Sequence, residues 1–311
     1  MEKVYTGDPS EIIQSFPNFN LQMHCCRYWW IINWEHRKLS FPFWRIYNNV
    51  QRGGFMEYKQ QVYEMEPDTL YLIAPNTDYS SRLYSHPIPE DGYRLTGGRI
   101  SETAGDKLGE LLEKGAIEHL FIHFTLGYPY DSVSPGIYPF RMNRHLEDRI
   151  IRLRNYLTEH VAQFNFTIFL TIQSLICELL FSMGEEKWKY PIRDVRIARI
   201  INLIENNIGN DFTNESLANR ANMATNAFSR LFREHVGETL QNFIRKKRIQ
   251  HACLLLLHSN RSIDEIADKT GFANRYHFSR IFSRITGYAP AKYRKESAVL
   301  GITPPAEIPA I

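Results

Sequence analysis

The sequence has few cysteines and no evident leader. Its four cysteines among 311 residues, Cys25, Cys26, Cys177 and Cys253, form neither a C-x-x-C pair nor a spaced framework. We therefore expect no disulfide bonds and no structural zinc, in a reducing compartment. The first residues carry no basic segment followed by an apolar run, so we expect a cytoplasmic protein.

Long apolar segments without polar residues are also missing. The most apolar stretch, residues 164–183, contains Asn165, Gln173 and Glu178, which would be costly at the centre of a bilayer. This stretch predicts a packed helix and argues against a membrane partner. Hydrophobic residues make up 43% and charged residues 23% of the chain, which is typical of a folded protein. The length predicts two domains.

Charge is distributed unevenly along the chain. Residues 1–189 hold 19 Lys and Arg against 23 Asp and Glu, whereas residues 190–311 hold 18 against 11. The basic C-terminal part suggests a segment that approaches a polyanion. A solvated basic surface explains the same charge equally well, so charge alone does not decide.

The region from about residue 40 to 125 has the pattern of short strands. Runs rich in Tyr, Phe, Ile and Val are separated by turn signals such as Gly53-Gly54 and Gly97-Gly98. This pattern predicts a small β-barrel or sandwich. Apolar residues at helical spacing then predict helices over 145–160 and 164–183. A glycine, a charge cluster and a proline follow, which place an interdomain linker at 184–193.

An internal repeat is the strongest signal in the C-terminal part. Phe228-Ser-Arg-Leu-Phe232 matches Phe278-Ser-Arg-Ile-Phe282, and Leu217-Ala218 matches Ile266-Ala267 one residue out of step. Each copy predicts a helix, a short turn and a second helix. Thr213 and a Ser262–Glu265 capping box begin the first helices, and Asn222 and Thr270-Gly271 supply the turns. Asn274 can cap the second helix of the second copy.

The second helix of each copy has an apolar face and a polar face. An exposed face of Arg, Asn and Ser carries the groups that read base edges in a DNA major groove. A single helix of this kind is more often an ordinary amphipathic helix, but two matched copies in a basic region favour DNA binding. The predicted base-reading residues are Asn226, Ser229, Arg230, Arg275, Tyr276, Ser279 and Arg280.

Residues 240–258 predict one long helix that holds the two copies at a fixed separation. If that separation is near one turn of DNA, about 34 Å, both reading helices can enter successive major grooves. We assign Arg248 on this helix to packing. The predicted phosphate contacts are Thr213, Arg233, Arg245, Lys246 and Ser262.

These motifs resemble the DNA-binding domain of the AraC/XylS family of bacterial transcription regulators. The resemblance covers about residues 195–294 and ends on Gly287-Tyr-Ala-Pro-Ala-Lys-Tyr-Arg294. It implies the same base-reading positions that helical periodicity leaves exposed. Ala224 departs from the family, which usually has a capping serine there, and Asn222 stands where glycine is common.

The resemblance also implies an α+β two-domain architecture. A cupin-like β-barrel of about residues 1–140 with helices at about 145–183 would bind a small effector and dimerise. An all-α DNA-binding domain at 194–296 and a flexible tail at 297–311 would follow the linker. The implied partners are double-stranded DNA, RNA polymerase, an unidentified small-molecule effector and a second copy of the chain, with no cofactor.

Two alternatives remain open for the N-terminal domain. It could dimerise without sensing an effector, or it could be a cupin-type enzyme fused to a DNA-binding domain. A metal-dependent cupin needs clustered histidines with a carboxylate, and His119 and His123 show no third ligand nearby in the sequence, so we expect core histidines, no metal and no enzyme. Four tryptophans, Trp29, Trp30, Trp34 and Trp44, could line a ligand pocket but are more often core, with Arg45, Tyr47, Tyr58 and Tyr71 as unranked polar groups.

Overall fold

The computed structural model describes residues 20–90, 93–103, 105–160, 163–188 and 194–298. Their N-terminal part forms one antiparallel sheet, because extended runs of aromatic and β-branched residues pair side by side. The strands are β1 (Gln22–Leu39), β2 (Trp44–Asn49), β3 (Gly54–Tyr58), β4 (Gln61–Glu64), β5 (Thr69–Ile73), β6 (Tyr79–Leu83), β7 (Tyr93–Arg99), β8 (Ile117–Thr125) and β9 (Ile137–Arg141).

The long strand β1 organises this sheet. Strands follow the order β4-β3-β6-β1-β8-β2-β5-β9, and β7 pairs with the middle of β1. Trp29 and Trp30 lie opposite His119 and Glu118 of β8 and opposite Arg99 and Gly98 of β7. Because one strand serves three partners, the sheet curves into a half-barrel. The expectation of strands only from about residue 40 missed β1.

Strands β2 and β8 are buried on both faces. Trp44 and Ile46 of β2 join a core that includes the helices that follow the sheet, whereas Tyr47 joins a separate aromatic core on the other face. The two-residue period of a strand explains this division. Trp29 and Trp34 lie in the aromatic core and Trp44 in the other, so the four tryptophans do not line one pocket.

Helices cover one face of the sheet and make up most of the described residues that follow it. Asn143 and Asn165 begin two of them by accepting hydrogen bonds from Leu146 N and Ile168 N, each at 2.9 Å. The helices are α1 (Gly105–Glu113), α2 (Arg144–Glu159), α3 (Phe166–Phe181), α4 (Val195–Asn206), α5 (Asn214–Arg220), α6 (Thr225–Val236), α7 (Leu240–His258), α8 (Ile263–Lys269), α9 (Arg275–Thr286) and α10 (Pro290–Ala298). The predicted helices over 145–160, 164–183 and 240–258 are confirmed, whereas α1 was not expected.

The C-terminal helices form two hydrophobic cores. One contains α4, α5 and α6 around Phe228 and Phe232, and the other contains α8, α9 and α10 around Phe278 and Phe282. Both cores include residues of α7, which therefore connects them. The predicted two-domain α+β fold class is confirmed.

The helical part packs directly on the sheet. Leu39, Phe41 and Phe43, which end β1 and lead into β2, share the core of α9 and α10. On the first core, Lys247 of α7 and Glu205 of α4 form an ion pair of 2.5 Å, and the Glu205 carboxylate accepts a hydrogen bond from Tyr128 N. Helix α7 therefore lies at the junction of the two parts.

Some predicted segments fall partly outside the described residues. Within the predicted linker, residues 184–188 are described and contain the 3-10 turn Glu185–Lys187, and residues 189–193 are not. Of the predicted tail, only residues 297 and 298 are described, as the end of α10. None of the helices in the described ranges combines the length and the apolarity that crossing a bilayer requires.

Candidate nucleic-acid interface

The first helix-turn-helix unit consists of α5 and α6. Thr213 Oγ1 accepts a hydrogen bond from Ser216 N at 3.0 Å, which begins α5 as predicted. Asn222 takes a φ of 53° in the turn, a left-handed value that asparagine tolerates better than most residues. Ala224 stands at the N-cap of α6 without a side-chain hydrogen bond. The first reading helix therefore starts without a side-chain cap.

The second unit consists of α8 and α9 and has both caps. Ser262 and Glu265 form a reciprocal capping box, in which Ser262 N donates to the Glu265 carboxylate at 2.6 Å. These hydrogen bonds from Ser262 lower the pKa of the Glu265 carboxyl group. Asn274 Oδ1 accepts from His277 N at 2.9 Å and caps α9. The predicted capping box and cap are confirmed.

The predicted base-reading residues of α6 lie on its outer side, opposite the buried Phe228 and Phe232. Asn226 and Arg230 are exposed, and Ser229 is partly buried. Ser229 Oγ accepts a hydrogen bond from Asn214 Nδ2 at 3.1 Å, and Asn214 Oδ1 accepts one from Gln241 Nε2 at 3.2 Å. The pattern of the reading helix alone did not indicate this link from α5 and α7 to Ser229.

The corresponding residues of α9 are also on its outer side. Tyr276 is 81% exposed, Arg275 and Arg280 are exposed, and Ser279 is partly buried. Arg275 Nη1 lies 3.3 Å from Asp264 Oδ2 of α8. A large aromatic side chain that remains in water forgoes the stabilisation that burial provides. The exposed Tyr276 ring can gain that stabilisation when a partner covers it.

The predicted phosphate contacts divide into three groups. Thr213 and Ser262 are exposed at the N-termini of α5 and α8, where backbone N–H groups favour anions. Arg233 and Arg245 are exposed and form no ion pair with any residue that the structure describes. Lys246, in contrast, lies 2.9 Å from Glu238 and lines a cavity at the domain junction.

Arg248 has a packing role, as expected. Its guanidinium donates to the carbonyl oxygens of Ile208, Asn210 and Gly271, at 3.2, 2.8 and 2.6 Å. Partial burial lowers the pKa of this guanidinium. Arg248 therefore joins the end of α4 to the turn of the second unit.

The two histidines of β8 differ in their environments. His119 Nδ1 lies 2.7 Å from Asn49 Oδ1, which agrees with the expected core histidine, and burial lowers its pKa to about 3. His123 lies beside Cys25 and His258, and one ligating atom from each of the three lies within 4.8 Å of the others. The sequence shows no third ligand close to His123 along the chain, because Cys25 and His258 are distant from it in sequence and only the fold brings them close.

A cavity of ≈ 550 Å³ lies at the junction of the two parts, beside α7. Its walls include Lys38 and Val133 from the N-terminal part and Lys247, Gln250 and Tyr288 from the C-terminal part. The aromatic core inside the sheet is closely packed instead, with Met56, Ile73 and Leu83 fully buried. The four unranked polar groups lie in or beside that core, where Tyr58 and Tyr71 donate to the carbonyl oxygens of Pro135 and Glu64.

The chain is similar in sequence to known transcription regulators. Residues 217–296 match a family model described as a helix-turn-helix domain. Over 106 residues the chain is 32% identical to an uncharacterized HTH-type transcriptional regulator of Haemophilus influenzae, covering 34% of this chain and 36% of that protein. Over 169 residues it is 27% identical to the HTH-type transcriptional activator RhaS of Escherichia fergusonii. This match covers 51% of this chain and 59% of that protein. Each match thus covers less than two thirds of the relative's own length.

The chain also resembles a solved structure over most of its length. ToxT from Vibrio cholerae, solved at 1.65 Å resolution, aligns with 89% of this chain and 98% of its own, at 13% identity and a TM-score of 0.46.

Proposed function

We propose that the protein is a sequence-specific DNA-binding transcription regulator whose C-terminal helix-turn-helix domain is of the AraC/XylS type. Its two reading helices, α6 and α9, would enter successive major grooves of one duplex. The observation that carries this proposal is the pair of matched outer faces, with Asn226 and Arg230 on one helix and Arg275 and Arg280 on the other. The named relative RhaS is an activator, which makes activation the form of regulation proposed here.

The long helix α7 supports simultaneous binding by the two units. Both reading helices contact α7. Its 19 residues give a length of roughly 28 Å at 1.5 Å per residue, comparable to one turn of DNA. A rigid connector of this length allows one protein molecule to read two sites on the same side of the duplex.

The test begins with selection of a binding site from a random-sequence duplex pool. Affinity for the selected duplex is then measured by fluorescence anisotropy for Arg230→Ala and Arg280→Ala. We expect each substitution to weaken binding by about 1–3 kcal/mol and to relax specificity at one base position. Arg152→Ala on α2, also exposed, is the charge-matched control and should leave affinity unchanged.

The pattern of losses separates base reading from general electrostatic attraction. Arg233→Ala and Arg245→Ala should weaken binding to selected and scrambled duplexes alike and reduce the salt dependence of binding. Equal losses on both duplexes for Arg230→Ala and Arg280→Ala would overturn their base-reading role.

For the N-terminal domain we propose a small-molecule effector site in the junction cavity. A ligand there would contact both parts, so its binding would shift their relative placement and thereby the affinity for DNA. The packed aromatic core leaves less room inside the sheet. Thermal-shift screening with sugars and organic acids tests this, since a ligand that binds the native state raises Tm. Gln250→Trp, which reduces the cavity, should abolish the shift, and a shift that survives it would place the effector elsewhere.

We propose further that α2 and α3 form a homodimer interface. Three large apolar side chains of α3 are in water in the single chain, with Phe166 at 73%, Leu170 at 46% and Phe181 at 90% exposure, and Ile151 of α2 is 53% exposed. Large exposed apolar side chains on neighbouring helices are typical of protein interaction sites. Phe166→Asp with Phe181→Asp should convert a dimer to a monomer in light scattering.

Contact with RNA polymerase is proposed as the route to activation and is tested by transcription in vitro with purified polymerase.

A further inference from the structure

Three side chains that commonly bind metals meet between the sheet and α7. Cys25 comes from β1, His123 from β8 and His258 from the last turn of α7. The sulfur of Cys25 and one nitrogen from each histidine all lie within 4.8 Å of one another. Small rotamer changes bring such atoms to the separations found around one ion, whose bonds to nitrogen and sulfur measure about 2.0–2.3 Å.

Within the described residues, the ring nitrogens of both histidines of this cluster are without hydrogen-bond partners. Among the described residues, none bonds to Nδ1 or Nε2 of His123 or of His258, and all four atoms are buried. His123 as a whole is 3% exposed. A buried polar group without a partner costs free energy, so native structures usually satisfy it with protein, water or an ion. His119, four residues away on the same face of β8, has such a partner in Asn49.

The backbone of the sheet places these groups together. Cys25 and His123 lie directly opposite each other in the pairing of β1 with β8, and the register shifts between Met23 and Cys25, which leaves His24 as an extra residue. The His24 ring stacks on the His258 ring with centroids 6.0 Å apart. A bulge of this kind redirects side chains, and here it brings two neighbouring residues of β1 towards α7.

We propose that Cys25, His123 and His258 bind a d10 metal ion, Zn²⁺ or Cu⁺, at the domain junction. Thiolate and neutral imidazole are the ligands that these ions prefer. Three protein ligands leave a fourth position of Zn²⁺ for water. On binding, the Cys25 thiol releases its proton to solvent and a sulfur–metal bond forms, with no change of oxidation state.

The local electrostatics are compatible with this chemistry. Burial lowers the pKa of His123 and of His258 well below the usual value, so both imidazoles are neutral and able to coordinate. Burial also raises the pKa of the Cys25 thiol to about 11, so the ion must displace its proton. The nearby guanidinium groups of Arg45 and Arg27 act against a divalent ion, and this favours Cu⁺ over Zn²⁺.

The consequence for the molecule is a bond between its two parts. Two ligands belong to the sheet, and the third belongs to the helix on which both reading helices pack. An ion bound here fixes α7 against the sheet, so its gain or loss would change the placement of the DNA-binding domain. This consequence for DNA rests on the proposed function, whereas metal binding itself does not.

The test uses the full chain, stripped with a chelator and titrated with Zn²⁺ against a chromophoric competitor, and separately with Cu⁺ against a Cu⁺-specific competitor. We expect one equivalent of at least one ion to bind and to raise Tm. Cys25→Ser and His258→Gln should each weaken binding at least tenfold, whereas Cys177→Ser, which changes an exposed cysteine of α3, should not. Co²⁺ should show a sulfur-to-cobalt charge-transfer band that is lost in Cys25→Ser.

Several outcomes would overturn the site. These are failure of both ions to bind stoichiometrically, binding that survives Cys25→Ser and His258→Gln, or loss of binding in Cys177→Ser. Circular dichroism of each metal-free variant reports whether it folds, and if one variant does not, the other decides. DNA affinity measured on the same samples separates the proposals: a chain that binds metal but no DNA keeps the site and loses the proposed function.

Discussion

The two helix-turn-helix units share a sequence pattern but are held in different ways. In the first unit the reading helix α6 begins at Ala224 with no side-chain cap, and its turn depends on Asn222 at a φ of 53°. In the second, Asn274 caps α9 and the turn contains Gly271 at a φ of 72°. Local interactions therefore define the start of α9 more strongly than that of α6.

The units also differ in what they pack against. The core of the second unit includes Leu39, Phe41 and Phe43 from the N-terminal part, whereas the core of the first consists of buried residues of α4 to α7. The sheet therefore contacts the second reading unit most directly. The comparison teaches that two copies of one motif can meet the same domain differently, the second by sharing its core with the end of β1 and the first through Tyr128 at its edge.

The largest expected effects come from the two cores. Phe228→Ala and Phe278→Ala each remove a fully buried ring, and we expect each to lower the free energy of unfolding by about 3–5 kcal/mol. Urea denaturation measures this loss. In hydrogen exchange, only Phe278→Ala should speed exchange in the peptide 37–44, because only its core reaches the sheet. Equal acceleration in both variants would contradict the difference in packing.

The turns should respond unequally to substitution. Gly271→Ala places a Cβ at a left-handed φ, 2.6 Å from Arg248 Nη2 and 2.8 Å from the Gly209 carbonyl oxygen. We expect Gly271→Ala to lower the free energy of unfolding by about 1–3 kcal/mol. Asn222 is the corresponding turn residue of the first unit. Asn222→Gly should change the free energy of unfolding by no more than about 0.5 kcal/mol, because the residue is exposed and glycine accepts the left-handed conformation. Thermal melts of the two variants test the contrast.

Adding an N-cap to α6 and removing the N-cap of α9 should change stability in opposite directions. Ala224→Ser supplies the missing N-cap at a residue whose backbone is already extended, with φ −65° and ψ 142°, and should stabilise the domain by about 1 kcal/mol. Asn274→Ala removes the cap of α9 and should destabilise it by about the same amount. The sign of each change in urea midpoint is the measurement. A loss of stability in Ala224→Ser would show that the first helix begins differently.

The smallest effect is expected at the ion pair between Arg275 and Asp264. Both side chains are more than half exposed, so Asp264→Asn should cost less than about 1 kcal/mol of stability. Because Asp264→Asn removes the carboxylate beside Arg275, this variant should bind DNA slightly more tightly than the unchanged chain at low salt. Glu215→Gln, at an exposed acidic residue in the first turn of α5, is the control for the removal of one negative charge.

Much of the C-terminal domain could be predicted because its determinants are local. Capping residues, positive-φ turn residues and three-to-four spacing act within about one helical turn, so Thr213, Ser262 and Asn274 could be assigned from the sequence. Strand β1 escaped prediction because its 18 residues mix exposed, partly buried and buried positions, with no clear alternation. Its three pairing partners come from distant parts of the chain, and pairing at that distance leaves no local pattern.

The sequence by itself determined the repeat and the polar faces of α6 and α9, since each follows from spacing along one helix or between two copies. Only the tertiary structure decided that Trp29 and Trp34 lie in one core and Trp44 in another, and that the second unit packs on the end of β1. It alone also brought His258 to Cys25 and His123. Contacts of this kind depend on strand pairing and on the docking of one domain against another, and these join residues whose separation along the chain carries no periodic signal.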